Sequence, residues 1–556
     1  MFNKILKYFY MSAQLFILFM ANLLIVNSLI FLIRGAITNF GTLIIFLISI
    51  IELSYLNKKE KWKLTIPVVI TIITFIIATS FSGFVYDTSY DGNSYHKEAI
   101  GLLKNGWNPI YEESKEFAKT IGINSQQARW VEHYPKATWI IGASIYRITN
   151  NIESAKAYNA IIIFCVFFII VYLINKFYKK KLLSLIMATA ISIFPIMCQQ
   201  IFSFYVDGFM GFILFLITIF MYLIIKEKDN NNYLWMIGSL IIIIINIKYS
   251  GLLYGGLFCI GYYLYYFIQK IRKKEIKELI GLSVKFVAIV LVSLLLVGSN
   301  SYVKNLIDHK HPLYPLMGEG KSDIMVGLQP ASFDNMSAIE KNFYSLFSKT
   351  ANIGAFNNRE PELKVPFTVQ YDELLEYGED TRIGGYGVLF SGIFIVSIIV
   401  LLIALIIVLK TKKTKDLIKY GIPILTTVLI MFIISDSWWA RYSPQLFMLP
   451  LIALFLLLNN KKKLINIIGL VLFALIFANS FITGGAIFKS KIPQSGYIRM
   501  TYEEYADQNV KIKMLDPWWS GIYYNFDDHN IKYEVVEDLE ESKDLYRWYV
   551  LIEVKK

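Results

Sequence analysis

Residues 64–96 read LTIPVVITIITFIIATSFSGFVYDTSYDGNSYH. The first part, 64–84, is an unbroken apolar run of the length a hydrocarbon core asks of a helix, since about 20 residues at 1.5 Å rise cross about 30 Å. The character then changes at once. Tyr86-Asp87-Thr88-Ser89-Tyr90-Asp91-Gly92-Asn93-Ser94-Tyr95-His96 sets two carboxylates, aromatic rings and a histidine against the membrane–water boundary. Charged groups at that depth are costly unless they face a polar cavity. The stretch therefore predicts a membrane protein with a reactive pocket at one end of its helices.

Similar runs recur along the 556 residues, of which 56% are hydrophobic and only 17% charged. A soluble fold cannot bury so many apolar segments of this length. Spans read at 10–33, 37–56, 64–84, 155–175, 182–199, 207–226, 233–249, 251–268, 279–299, 386–409, 420–435, 442–459 and 464–482, about thirteen helices. The net charge of +13 would suggest nucleic acid in a soluble protein. Here the cations fall in alternate loops: Lys58-Lys59-Glu60-Lys61, 176–181, Lys226-Glu227-Lys228, 270–277, 410–419 and Lys461-Lys462-Lys463. That is the positive-inside pattern, so the N-terminus with Lys4 and Lys7 reads as cytoplasmic, and an odd helix count puts the C-terminus outside. The expected partner is the membrane, not nucleic acid. The first span is too long for a signal-peptide core and lacks a small-residue cleavage site before Arg34. Cys165, Cys198 and Cys259 all fall in apolar spans and read as packing residues.

Three segments outside the spans are large enough to hold chemistry, and the charge pattern puts all three on the outer side. The loop 85–153 contains an amphipathic helix at 94–104, with Lys97, Glu98 and Lys104 on its polar side. It also holds a short apolar stretch at 137–148 that reads as interfacial or partly re-entrant. The loop 300–385 opens near Asn305 and His309-Lys310-His311-Pro312-Leu313-Tyr314-Pro315, and closes with Asp380-Thr381-Arg382-Ile383-Gly384-Gly385. The tail, 483–556, shows strand patterns at 511–515, 531–536 and 549–554 around a helix near Trp519–Asp527, a small α/β domain. Trp107, Trp438-Trp439 and Trp518-Trp519 suit either the aromatic belt of a bilayer or stacking on sugar rings.

Asp91 stands where it caps the next helix, and Asp87 where a turn residue belongs. Capping does not exclude taking a proton from a hydroxyl or holding a metal. Arg441 and Lys248 are cations beside helix ends, suited to snorkelling or to gripping phosphate, for which a guanidinium offers two parallel donors. Arg382 in its glycine-rich turn reads equally as a loop ion pair with Asp380. His96 and His133 read as substrate contacts or as packing residues, and His309-x-His311 lacks a nearby third metal ligand.

Taken in order, these pieces resemble the GT-C superfamily of polytopic glycosyltransferases. Asp91-Gly92-Asn93-Ser94-Tyr95-His96 with Gly106-Trp107-Asn108-Pro109 and His133-Tyr134-Pro135 is similar to the first outer loop of that superfamily. Residues 200–207 (QIFSFYVD) resemble its second acidic position, and Lys248-Tyr249-Ser250-Gly251 a recurring Lys-Tyr-Ser/Thr-Gly element. Asn305 with His311-Pro312-Leu313-Tyr314-Pro315 resembles an Asn…Asn-Pro-x-Tyr-Pro loop in which His311 replaces the second Asn, and Ala440-Arg441-Tyr442 resembles an Arg-Tyr pair entering a late helix. The resemblance covers roughly 64–460 and divides the chain into two additional N-terminal helices (1–63), a transmembrane core (64–482) with outer loops 85–153 and 300–385, and an extracytoplasmic domain (483–556). It implies an inverting glycosyltransferase of the plasma membrane that moves a sugar from a polyprenyl-phosphate-linked donor to a lipid- or glycan-linked acceptor of the cell envelope, as in polysaccharide biosynthesis. The Ile-, Lys- and Asn-rich composition points to a bacterial source. Asp91, Asp87 and Asp207 would be catalytic, and His96, His133, Lys248, Arg382, Arg441 and Tyr442 would bind substrate. Asp87 and Asp91 are four residues apart, not a tight Asp-x-Asp pair, which leaves open whether they hold Mg²⁺ or Mn²⁺. A glycan polymerase or ligase, or a flippase for lipid-linked glycans, is the alternative.

Overall fold

The computed structural model describes residues 2–58, 63–227, 231–324, 327–353, 359–411, 417–546 and 549–554. Parts of the cationic loops at Lys59–Lys61, Lys228 and 412–416 lie outside the described residues. The protein is an all-α polytopic membrane protein with a small C-terminal domain. Among the described residues nine helices have the length and composition to cross a membrane: Asn3–Leu32, Asn39–Asn57, Thr65–Phe84, Ile152–Tyr178, Asp207–Lys226, Tyr249–Arg272, Ile276–Asn300, Phe390–Thr411 and Lys463–Tyr505. The other four apolar runs form shorter helices: Lys181–Ser192, Asn232–Ile247, Ile418–Ile433 and Pro444–Leu458.

The shortening has a local cause. Pro195 cannot continue the helix that ends at Ser192, because a proline lacks the N–H and crowds the preceding turn. Lys248 is extended (φ −161°, ψ 153°) between two helices that otherwise abut. Residues 434–439 leave the helix, and a short turn, Ala440–Tyr442, precedes the next one at Pro444. Each break falls at the same end of the bundle, and each delivers a polar side chain to one place, described below. At the opposite end lysines gather instead: Lys176 with Glu227, and Lys419 beside Tyr178 and over Phe455.

The first helix packs against the Tyr158–Tyr178, Thr65–Phe84 and Asn232–Ile247 helices, inside the bundle. The stretch expected to lie in the interface is a helix, Ala137–Thr149, whose residues 137–146 are all buried, because the Lys97–Asn105 helix, the Ile152–Ala157 turn and the first helix cover it. Lys97 and Glu98, read from sequence as the solvent face of an amphipathic helix, are also fully buried. Trp107, Trp438, Trp439 and Trp519 sit in the interior, so of the tryptophans assigned to a belt or to stacking only Trp518 is exposed.

The last apolar helix runs on to Tyr505 and hands the chain to a four-stranded sheet: β1 (Asn509–Met514), β2 (Lys532–Val535), β3 (Ser542–Tyr546) and β4 (Val550–Glu553), in the order β2-β1-β4-β3. β1 and β2 are parallel, which requires a crossover, and the Tyr523–Asp528 helix supplies it. β3 has no counterpart in the sequence reading; Asp544 and Lys543 hide its period. The domain docks on the loop that carries Asp91. Tyr524 fills the space left at Gly101, Tyr90 donates to Asp516 at 3.1 Å, and Tyr146 donates to Asp528 at 2.6 Å.

Candidate active site

Asp91 precedes a single π-helical turn, Gly92–His96, which leads into the Lys97–Asn105 helix. Such a turn is wider than an α-turn and is common at functional sites. Asp91, Tyr95 and His96 here all line one cavity. Tyr134, Trp139, Tyr205, Asp207, Lys248 and Arg441 line it too, with Pro135, Val206 and Ile247 between them. Five groups singled out in the sequence thus meet in one place from segments up to 350 positions apart.

Two carboxylate–cation pairs organise it. Arg441 Nη1 donates to Asp91 Oδ2 at 3.2 Å, and Lys248 Nζ donates to Asp207 Oδ1 at 2.9 Å. Gln200 steadies the other Asp207 oxygen at 3.3 Å. Arg441 is held by rings: its guanidinium lies 4.4 Å from the centroid of Trp439 and 4.9 Å from those of Tyr205 and Tyr442. Its Nη2 reaches Tyr442 Oη at 3.1 Å, while its buried Nε has no partner among the described residues. Lys248 lies 4.4 Å from the Tyr442 centroid, so Tyr442 is shared by both cations. Rings that grip a cation by cation–π attraction fix its position without neutralising it. Asp91 and Lys248 keep 23% and 20% of their side-chain surface open, which distinguishes them from the sealed charges nearby.

His96 accepts a hydrogen bond at Nδ1 from Trp139 Nε1 at 2.7 Å. Burial, only partly countered by Asp91 and Asp207, pushes its pKa down to about 4.

Asp87 is placed differently. Its Oδ1 accepts from Ser89 N at 2.7 Å, and its Oδ2 accepts from Ser89 Oγ at 2.9 Å and Phe204 N at 3.0 Å. The side chain is sealed, and burial raises its pKa to about 6. A Cβ on Gly92 would stand 1.9 Å from Asp87 Oδ2, so Gly92 is what lets this carboxylate tuck beneath the turn. Both Asp87 oxygens accept hydrogen bonds from Ser89 or Phe204, and the carboxylate is not part of the cavity wall that Asp91 lines. Among the described residues no three His, Cys, Asp or Glu side chains converge as a metal cluster.

His133 and Arg382 lie outside the cavity wall. His133 Nδ1 pairs with Asn305 Oδ1 at 2.7 Å, and the His133 ring packs against His309 and Tyr314. Arg382 lies 5.2 Å from the Trp439 centroid, close to the cavity only through that ring. His311 Nδ1 accepts from its own loop at Leu313 N. The sequence reading gave no role in the site to Tyr95, Tyr134, Trp139 or Tyr205. Tyr95, Tyr134 and Tyr205 each stand within a quoted motif, but nothing in the sequence marks Trp139.

No family model and no curated protein matches the chain. Among solved structures it is similar to the crystal structure of ArnT from Cupriavidus metallidurans in the apo state, over 86% of this chain and 86% of that one, with 9% sequence identity and a TM-score of 0.43.

Proposed function

We propose that the protein is a GT-C-type glycosyltransferase that moves a sugar from a polyprenyl-phosphate-linked donor to a lipid- or glycan-linked envelope acceptor. The observation that carries the reading is the meeting of Asp91–Arg441 and Asp207–Lys248 in one partly open, aromatic-walled cavity at helix ends. A hydroxyl is a poor nucleophile, and a departing lipid phosphate is an anion at a low-dielectric surface. The reaction therefore needs a carboxylate and a fixed cation side by side.

In this reading Asp91 takes the acceptor proton as the acceptor oxygen bonds to the sugar's anomeric carbon. The bond from that carbon to the carrier's phosphate oxygen breaks, and its electron pair leaves with the phosphate. Attack from the face opposite the leaving group inverts the anomeric centre. Arg441 and Lys248 receive the phosphate charge, and Asp207 keeps Lys248 in place. The lysine-rich end faces the cytoplasm of a bacterial plasma membrane, and the cavity, both large loops and the 483–556 domain face outward. In this reading 1–63 are additional N-terminal helices, 64–482 the transferase core, and 483–556 the outer segment, entered through the Lys463–Tyr505 helix.

The test is sugar transfer by purified protein from labelled polyprenyl-phosphate sugars to an envelope extract, with and without chelator. Asp91→Asn is expected to lower transfer by about 10²–10⁴-fold with unfolding unchanged. A fully active D91N removes Asp91 from this role, and a ladder of products reassigns the chain to glycan polymerisation. Labelling of Lys115→Cys by an impermeant thiol reagent only after permeabilisation would reverse the sidedness.

A further inference from the structure

His96 is more than nine-tenths buried, yet one of its two ring nitrogens is without a protein partner among the described residues. Nδ1 is taken. Trp139 Nε1 carries a hydrogen that it can only donate, so at 2.7 Å Nδ1 must present its lone pair. A neutral imidazole with an unprotonated Nδ1 carries its proton on Nε2. His96 is a lining residue of the Asp91 cavity, and Nε2 is its remaining polar atom there.

We infer that Trp139 is a positioning residue that locks His96 as a neutral imidazole, so that Nε2–H serves as a hydrogen-bond donor to a substrate oxygen in the cavity. The inference rests on the transferase reading only for the identity of that substrate. The tautomer itself is a property of the resting protein.

Geometry and charge agree on the lock. Trp139 is 2% exposed, and its indole N–H would be left unsatisfied without His96, so the two groups hold one another. The ring lies among Tyr95 at 4.4 Å, Trp139 at 5.8 Å and Tyr205 at 6.5 Å, centroid to centroid. The charges facing it are two carboxylates, Asp91 and Asp207, and two cations, Lys248 and Arg441. The carboxylates raise its pKa and the cations lower it, burial is the largest influence, and the ring stays uncharged at neutral pH. Occupation of Nδ1 also denies His96 the part of general base, which leaves that task to a carboxylate. A neutral donor beside Arg441 and Lys248 adds a directed hydrogen bond without adding a third positive charge.

The experiment is ¹⁵N NMR of full-length protein with labelled histidine in nanodiscs, the His96 signals being assigned by their loss in His96→Gln. The expected wild-type spectrum has an unprotonated Nδ1 and a protonated Nε2, unchanged between pH 5.5 and 8. In Trp139→Phe the lock is gone, and His96 is expected to average between tautomers or to titrate within that range. A wild-type His96 protonated on Nδ1, or titrating near neutrality, overturns the inference whatever the enzyme does. A short-chain prenyl phosphate is the binding probe. A shift of the Nε2 resonance on its addition supports the donor role, and a shift confined to the other histidines overturns it.

Where transfer is measurable, W139F is expected to gain an acid limb in its pH profile that the wild type lacks. H96Q, which keeps a neutral N–H donor, should retain more transfer than H96F, from which about 10²-fold is expected to be lost. Equal activity of H96Q and H96F would overturn the donor role. Absence of transfer in every form, with the tautomer as described, would instead count against the transferase reading.

Discussion

Two clusters of charge stand a few residues apart on the same loop and differ in how completely their groups are used. Around Glu153 both carboxylate oxygens are doubly engaged. Oε1 accepts from Lys97 Nζ at 2.5 Å and Asn525 at 3.1 Å, and Oε2 accepts from the Asp87 backbone N–H at 2.9 Å and from Lys156. Lys97 spends its remaining donors on Asn93 and Asn525, and every member is sealed from solvent. Around Asp91 the same residue types remain unfinished: Asp91 and Lys248 are partly open, and Arg441 Nε and His96 Nε2 have no partner among the described residues. Charge alone therefore does not mark a site; unspent hydrogen-bonding capacity does. The closed cluster ties the Asp91 loop to the C-terminal domain, and the open one is available to a ligand.

The largest test of this contrast is Glu153→Gln. Removing one partner of a sealed ion network leaves uncompensated buried charge, and a loss of about 3–5 kcal/mol is expected in denaturation of the purified protein. Arg441→Lys should show the opposite signature. Transfer is expected to fall about 10²–10³-fold, because an ammonium cannot reproduce the guanidinium's fixed fork, while the unfolding midpoint stays put. A drop in stability as large as that of E153Q would erase the distinction.

Gly92→Ala lies between the two clusters. Its Cβ collides with the Asp87 carboxylate, which cannot yield without giving up Phe204 N and Ser89. About 1–3 kcal/mol of overpacking cost is expected, together with loss of transfer as Asp91 shifts. The smallest effect concerns Glu98, whose buried carboxyl has Ser125 and Ser520 as its side-chain partners among the described residues. Burial raises its pKa to about 7 from an ordinary 4.5. The folded state thus holds the proton more tightly than the unfolded state. Stability from this group is full below pH 4.5, falls as pH rises, and levels off above 7. Glu98→Gln should flatten that slope in thermal melts across pH 4.5–7.5; an unchanged slope would assign it to the other buried carboxyls, Asp528, raised to about 7, and Asp87, raised to about 6.

Much of the site was legible because its residues break a strong pattern. Asp91, Asp207, Lys248 and Arg441 interrupt or bound apolar runs, where a charge is expensive and therefore conspicuous. Asp87 looked equivalent to Asp91 because sequence spacing does not tell a carboxylate facing a cavity from one folded beneath its own turn. His133 and Arg382 carried suitable chemistry, but their rings and loops turn them to Asn305 and Trp439. Trp139 was invisible, since its importance lies in one hydrogen bond to a residue 43 positions away.

The sequence by itself determined the membrane architecture, because hydrophobic length and loop charge are local properties that each segment satisfies alone; where the helices break and end was shown only by the fold, as at Ser192 and Tyr505. Only the tertiary structure decided which charges are spent and which are free. Lys97 reads as a surface residue until Glu153 and Asn525 close around it, and Asp91 reads as a helix cap until Arg441 arrives from 350 positions away. Burial and hydrogen-bond saturation depend on what the fold brings alongside, and no window along the chain contains that neighbour.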